Sequence, residues 1–243
     1  MTIFEVNQLT IDMTNDIECK KQIIKLLATK SVAKYKAFDN AEIVFEDIKK
    51  SLQALMADLK KELKTLGEDI PVEYKEVGKY EIEFKVAGDL LLFYMHTNIF
   101  EFPKSHAVMQ QSYVRDDPTR AYCGIISIYN FLADSFKYNR LNDVGYLIGR
   151  IFVNKDSNFL VEGKRQMGFI FNNYGTQKMN DESLQKIIET ALKYSIELDL
   201  IVPPYRSVSI VSVQEMQNIT SSVSLKTGKP LGFRSKADAK SMK

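Results

Sequence analysis

The sequence predicts an α+β domain: an N-terminal helical pair, an antiparallel sheet of five to six strands in ββαβββ order, a C-terminal helix and a final strand. Three observations carry this. Apolar residues recur at helical spacing between Ile17 and Leu66. They alternate with charged ones between Tyr80 and Val86. The stretch from Asp143 to Phe171 reads as two strands, a turn and the start of a third.

Residues 1–13 alternate loosely and predict a short strand, after which Thr14 or Asn15 caps a first helix. Asp39 and Asn40 are cap residues and predict a break, with a second helix running to Leu66 and stopped by Gly67. That second helix has an apolar seam of Phe45, Ile48, Leu52, Leu55, Leu59 and Leu66. The seam suits a hairpin covering a sheet, and equally a coiled coil that pairs two chains over Phe45–Leu66.

Tyr80, Ile82, Phe84 and Val86 alternate with Glu81, Glu83 and Lys85, the pattern of a half-buried strand. Ala87-Gly88-Asp89 predicts a turn, and Leu90 to Phe102 a long second strand. Residues 103–117 have no period and predict a loop. Asp117-Pro118 then reads as a helix start, for a helix to about Lys137 along Tyr122, Ile125, Ile126, Tyr129, Leu132 and Phe136.

A reversal centred on Asp156 sets Arg150 against Glu162 and Gly149 against Gly163. The two glycines leave a bare patch where a helix backbone or large side chain can approach. Gly168 to Asn172 continues as a strand. Asn180 or Asp181 caps a helix to about Leu198, and Ser207 to Val213 predicts the last strand. The chain thus divides into a helical hairpin or coiled-coil segment over 1–70, an α+β domain over 71–219 and a flexible basic tail over 220–243.

The 243 residues allow a sizeable core, with 14 Phe and 12 Tyr. The net charge of +2 implies no partner by itself, but six basic residues against one acid from Lys226 onward give that segment +5 and leave −3 for the body. Two distant cysteines, Cys19 and Cys123, suit a reducing, cytoplasmic setting. The apolar runs are too short to span a bilayer, so no membrane partner is expected. His96 and His106 lack cysteine support and predict no metal centre, and no cofactor is expected.

The ββαβββ order resembles that of PAS-type sensory domains and profilin- or longin-like folds. Glu162-Gly-Lys164 resembles the Glu-x-Lys half of the PD-(D/E)xK nucleases, with Asp143 upstream and an αβββαβ order from Pro118 to Val213. That resemblance implies Mg²⁺ held by Glu162 and Asp143, with Lys164 placing the attacking water.

The reading favoured by the residues themselves is a non-catalytic interaction or ligand-sensing module. It binds a protein or small molecule through the 103–120 loop, using His106, Tyr113, Arg115, Asp116 and Arg120. A third reading is nucleic-acid contact through Lys137, Arg140, Lys226, Lys229, Arg234 and Lys236.

Overall fold

The computed structural model describes residues 18–217, apart from 142, 201 and 203. The expected strand over 1–13, the Thr14 or Asn15 cap and the basic tail lie outside the described residues, and with the tail Lys226, Lys229, Arg234 and Lys236.

The N-terminal segment is one helix, not a pair. Helical backbone runs from residue 18 through a π turn, Leu27–Ser31, into α1, Val32–Thr65. Asp39 and Asn40 lie inside it. Local capping preference yields here to tertiary contact: Ala37, Ala41, Phe45, Ile48 and Leu52 are buried against the sheet. The Asn40 amide donates instead to the Asn154 carbonyl at 2.9 Å. Full burial of one such Phe, Ile or Leu side chain is worth about 1.5–3 kcal/mol. The seam proposed for a homodimer is therefore spent within the chain from Phe45 to Leu52. The expected stop is present. Gly67 takes φ +78°, and Gly67 and Glu68 donate backward to the Lys64 and Leu63 carbonyls at 3.2 and 3.0 Å.

Among the described residues seven strands form one antiparallel sheet: β1 Val72–Gly78, β2 Glu81–Val86, β3 Asp89–Met95, β4 Phe100–Glu101, β5 Tyr122–Leu132, β6 Tyr146–Asn154 and β7 Phe159–Gly163. Their order is β1-β2-β3-β5-β6-β7, with β4 paired to β5. Short helices intervene: α2 Ser112–Asp116, α3 Ala133–Lys137 and α4 Met167–Ile170. A longer one, α5 Asp181–Ile196, is capped by the Asn180 side chain, and α6 Tyr205–Val208 follows.

The predicted helix from Pro118 to Lys137 is the central strand β5. Asp117 caps only one 3₁₀ turn, Pro118–Ala121. Beyond it Ile, Tyr and Phe dominate, and β5 is largely apolar on both faces, buried on the inner face and partly so on the outer. An apolar run of that kind mimics helical spacing while favouring extended backbone. With β5 a strand, the described residues follow neither the ββαβββ order of the sensory folds nor the αβββαβ order of the nucleases. Gly168 to Asn172 is not a strand, since α4 takes that place, and Ser207 to Val213 holds the end of α6 rather than a strand.

The β6–β7 register is the one expected, Arg150 with Glu162 and Gly149 with Gly163. Met167, buried, fills the bare patch: a Cβ at Gly163 would lie 2.4 Å from Met167 Cβ, and one at Gly149 2.7 Å from Met167 Cε. A register shift opposite Ile128 and Tyr129 marks a bulge in β6. It turns Ile148 inward and leaves Leu147, which strict alternation would put on the same face as Ile151, on the other side.

Helices α1 and α5 cover the inner face of the sheet, over Ile82, Phe84, Leu91, Phe93, Ile126, Ile151 and Phe159. Among the described residues the outer face is covered at its two ends, at one by α3, whose Phe136 packs on Phe131 at 5.1 Å, and at the other by a strap of residues 102–121. Its Phe102, Val108, Val114 and Ala121 pack on Cys123, Phe152, Leu160 and Tyr174.

Candidate functional site

Strand register sets what the outer face displays. In a sheet with one wet face, outward positions are normally polar. β2 obeys: Glu83 and Lys85 point outward and pair across β1 with Lys75 at 3.0 Å and Glu73 at 2.7 Å. The next strands do not. Glu83 stands beside Leu92, Leu92 beside Tyr129, and Tyr129 beside Leu147. In the neighbouring rows Glu81 stands beside Tyr94, Tyr94 beside Ser127 and Ser127 beside Arg150, while Leu90 stands beside Phe131. Tyr94 and Leu147 each remain 36% exposed, and Leu92, Tyr129 and Phe131 are half-buried. The aromatic run continues edge-on from Tyr94 to His96 at 6.1 Å and from His96 to the exposed Phe100 at 4.7 Å.

The strap bounds this surface, and two polar networks hold it down. In the first, His106 stacks on Phe102 at 4.7 Å. Its Nδ1 accepts from the Val108 N–H at 3.2 Å, which puts the ring proton on Nε2 for donation to Glu162 Oε1 at 2.9 Å. Arg150 donates to the other Glu162 oxygen at 2.6 Å. Burial raises the Glu162 pKa, and the hydrogen bonds from His106 and Arg150 outweigh it, so the carboxyl is held below its ordinary value. Cys123 behaves oppositely: burial, reinforced by Glu162, pushes its thiol up to about 12, which leaves a protonated packing group.

The second network centres on the turn after β6. The Asn154 side chain accepts from the N–H groups of Asp156 and Asn158, at 2.9 and 3.0 Å. Asp156 accepts from Tyr113 at 3.0 Å and from Arg120 at 2.9 Å. The Arg120 guanidinium also lies over the Tyr113 ring at 4.3 Å and donates to the Tyr113 carbonyl at 2.9 Å. Lys155 reaches Asp117 at 3.0 Å. The Thr119 hydroxyl and Lys155 hold the Asp117 pKa at about 2, and burial pushes the Tyr113 phenol up to about 12. Beside this network is an open depression of about 490 Å³, lined by Tyr113, Arg120, Asp156, Asn158, Gly175, Thr176 and Lys178.

Of the loop residues expected to bind, Tyr113 and Arg120 are thus brought together as fasteners. His106 fastens the strap elsewhere, and Arg115 and Asp116 are exposed and belong to neither network.

The proposed metal pair does not converge. Asp143 precedes β6, at the end opposite the turn. It accepts from Ser135 Oγ at 2.6 Å and pairs with Arg140 at 3.2 Å. Glu162 faces a cation and an imidazole rather than a second acid. Lys164 does not share its face, because β7 ends at Gly163. Lys164 lines a depression with Thr190, Lys193 and Tyr194 of α5 and Glu197 just past its end instead. Among the described residues no group of three or more His, Cys, Asp or Glu side chains is placed to hold a metal ion.

Arg140, expected to meet phosphates, is enclosed with Asp143; their side chains are 8% and 3% exposed. Lys137 is exposed and lies over its neighbour Tyr138 at 4.9 Å.

Sequence reasoning missed Leu92, Tyr94, Tyr129 and Leu147. One signal was available: Leu90 to Met95 is apolar at every position although its hairpin partner alternates. Comparison with known proteins gives no match to a family model, a curated protein or a solved structure.

Proposed function

We propose that this chain is a non-catalytic interaction module that binds a protein segment across the open outer face of the sheet. One observation carries the reading. Large apolar and aromatic side chains point outward on β3, β5 and β6, where the outward positions of β2 are charged. An apolar patch rimmed by polar residues is the usual mark of a protein contact.

These side chains are spread along three neighbouring strands, which suits an extended peptide or protein segment. Its rim carries Glu73, Lys75, Glu81, Glu83, Lys85, Arg150 and Glu162, mostly paired and near balance. That arrangement does not attract a polyanion. The strap is the wall of the surface, and His106, Tyr113 and Arg120 serve to hold it. A cytosolic setting belongs to this reading: Cys19 is free and exposed, and an oxidising compartment would leave it open to intermolecular pairing.

Selection from a random-peptide display library tests the proposal. Peptides enriched on the native chain should lose at least about tenfold in affinity when Tyr94 and Tyr129 are both replaced by Ala, as central aromatic contacts do. They should keep their affinity for Arg115→Ala. Enriched peptides that bind the Tyr94/Tyr129 variant equally well, or no enrichment, would reject the reading.

A further inference from the structure

A second surface lies on the N-terminal helix, ahead of the point where Lys30 and Lys34 lie over the Tyr122 ring at 5.4 and 5.1 Å. The helix that becomes α1 begins well before the sheet. Every residue from 18 to 30 is exposed, which corresponds to about 20 Å of helix at 1.5 Å per residue. Ile23, Ile24, Leu26 and Leu27 are between 51% and 57% exposed. Four large aliphatic side chains in water on one short helix need a reason.

Their arrangement supplies part of it. At 3.6 residues per turn these four fall within one arc of roughly 160°, with Lys21, Gln22, Lys25 and Thr29 opposite. Lys20 falls inside the arc, but its stem is long enough to carry the ammonium to the edge. The π turn then matters. The Val32 N–H donates to the Leu27 carbonyl five residues back, so this turn takes up one extra residue. That rotates Val32 and Tyr35 back into line with the arc, and both are exposed, Tyr35 at 72%. An uninterrupted α-helix would have carried them off it.

Charge selects the occupant. From residue 18 to residue 36 there are six lysines and one acid, Glu18, a net +5 in a chain whose total is +2. A second copy of the same helix would bring like charge against like charge. A nucleic acid would use the lysines and leave the aliphatic arc in water. An anionic lipid surface uses both, as apolar residues enter the acyl boundary while lysines meet the headgroups.

We infer that residues 18–36 form an interfacial helix that docks this protein on an anionic membrane surface. No described helix is long and apolar enough to cross a membrane; lying on one makes no such demand. The inference stands apart from the sheet-face reading, because none of the residues involved is shared.

Co-sedimentation of the full chain with vesicles tests it, using phosphatidylcholine alone or mixed with phosphatidylserine. The native chain should bind the mixed vesicles at least about tenfold more strongly, and added salt should weaken that binding. Ile23→Asp with Leu27→Asp should reduce it at least about tenfold, as should Lys20→Glu, Lys21→Glu and Lys25→Glu together. All five positions are exposed, and circular dichroism should show the fold intact. Tyr94→Ala should bind vesicles as the native chain does. Equal binding to neutral vesicles, no binding, or full binding by the Ile23/Leu27 variant would overturn the inference. So would a concentration-dependent dimer lost in that variant without any vesicle binding, which would make a second copy the occupant.

Discussion

On the inner face of the sheet Phe84, Phe93, Ile126 and Ile151 are sealed under two helices; on the outer face of the same strands Leu92, Tyr94, Tyr129 and Leu147 still meet water. The residue types are alike and only the cover differs. The inner face turns apolar area into stability, because burial there is complete. The outer face keeps part of its apolar area uncovered, and uncovered area adds little to folding but is available to a partner. The strap shows a third condition between the two. It seals a small apolar cluster but is fastened by ion pairs and hydrogen bonds.

Substitutions should separate these conditions by size. Phe45→Ala removes a ring fully buried between α1 and the sheet and should cost about 3–5 kcal/mol in urea unfolding. Gly124→Ala, on β5, should cost about 1–3 kcal/mol by overpacking, since the new Cβ would lie 2.4 Å from that of Ala41. If Gly124→Ala proved neutral, α1 would not sit as close to the sheet as described.

The strap should be less costly to disturb. Arg120→Ala leaves Asp156 and the Tyr113 carbonyl short of a donor and should cost about 1–2 kcal/mol. Arg115→Ala, five residues earlier but exposed, should stay within about 0.5 kcal/mol. Equal effects at the two positions would mean that Arg120 is not a fastener.

Acid should reach the strap as well. Asp117, Asp156 and Glu162 all have pKa values below the ordinary 3.8 or 4.5. Their contribution is complete above about pH 4.5 and is lost as pH falls toward the Asp117 value of about 2, because the unfolded chain takes up protons first. Tyrosine fluorescence is a suitable probe, since the chain has no tryptophan. Asp156→Asn should flatten the profile.

What the sequence made legible follows the reach of each interaction. The β6–β7 register, the Gly67 stop, the Asn180 cap and the alternation in β2 are local, and each was readable from a few neighbouring residues. The continuous helix was not, because Asp39 and Asn40 carry a strong local capping signal, and the contact that overrides it joins Asn40 to Asn154 across 114 positions. Strand β5 was not legible because a strand largely apolar on both faces lacks the alternation that marks a half-exposed one. The bulge at Ile148 has no signature in residue type, and it alone moved Leu147 to the open face. His106 and Glu162 were each singled out, yet their pairing across 56 positions could not be read without the fold. Of the expected binding residues, His106, Tyr113 and Arg120 fasten the strap, while Arg115 and Asp116 stay exposed.

The most direct test asks whether stability and recognition separate by face. Tyr94→Ala combined with Leu147→Ala should leave urea unfolding within about 1 kcal/mol of the native chain while weakening library-selected peptides at least about tenfold. A loss of stability as large as that from Phe45→Ala, with peptide affinity unchanged, would show that the outer face serves the fold and not a partner.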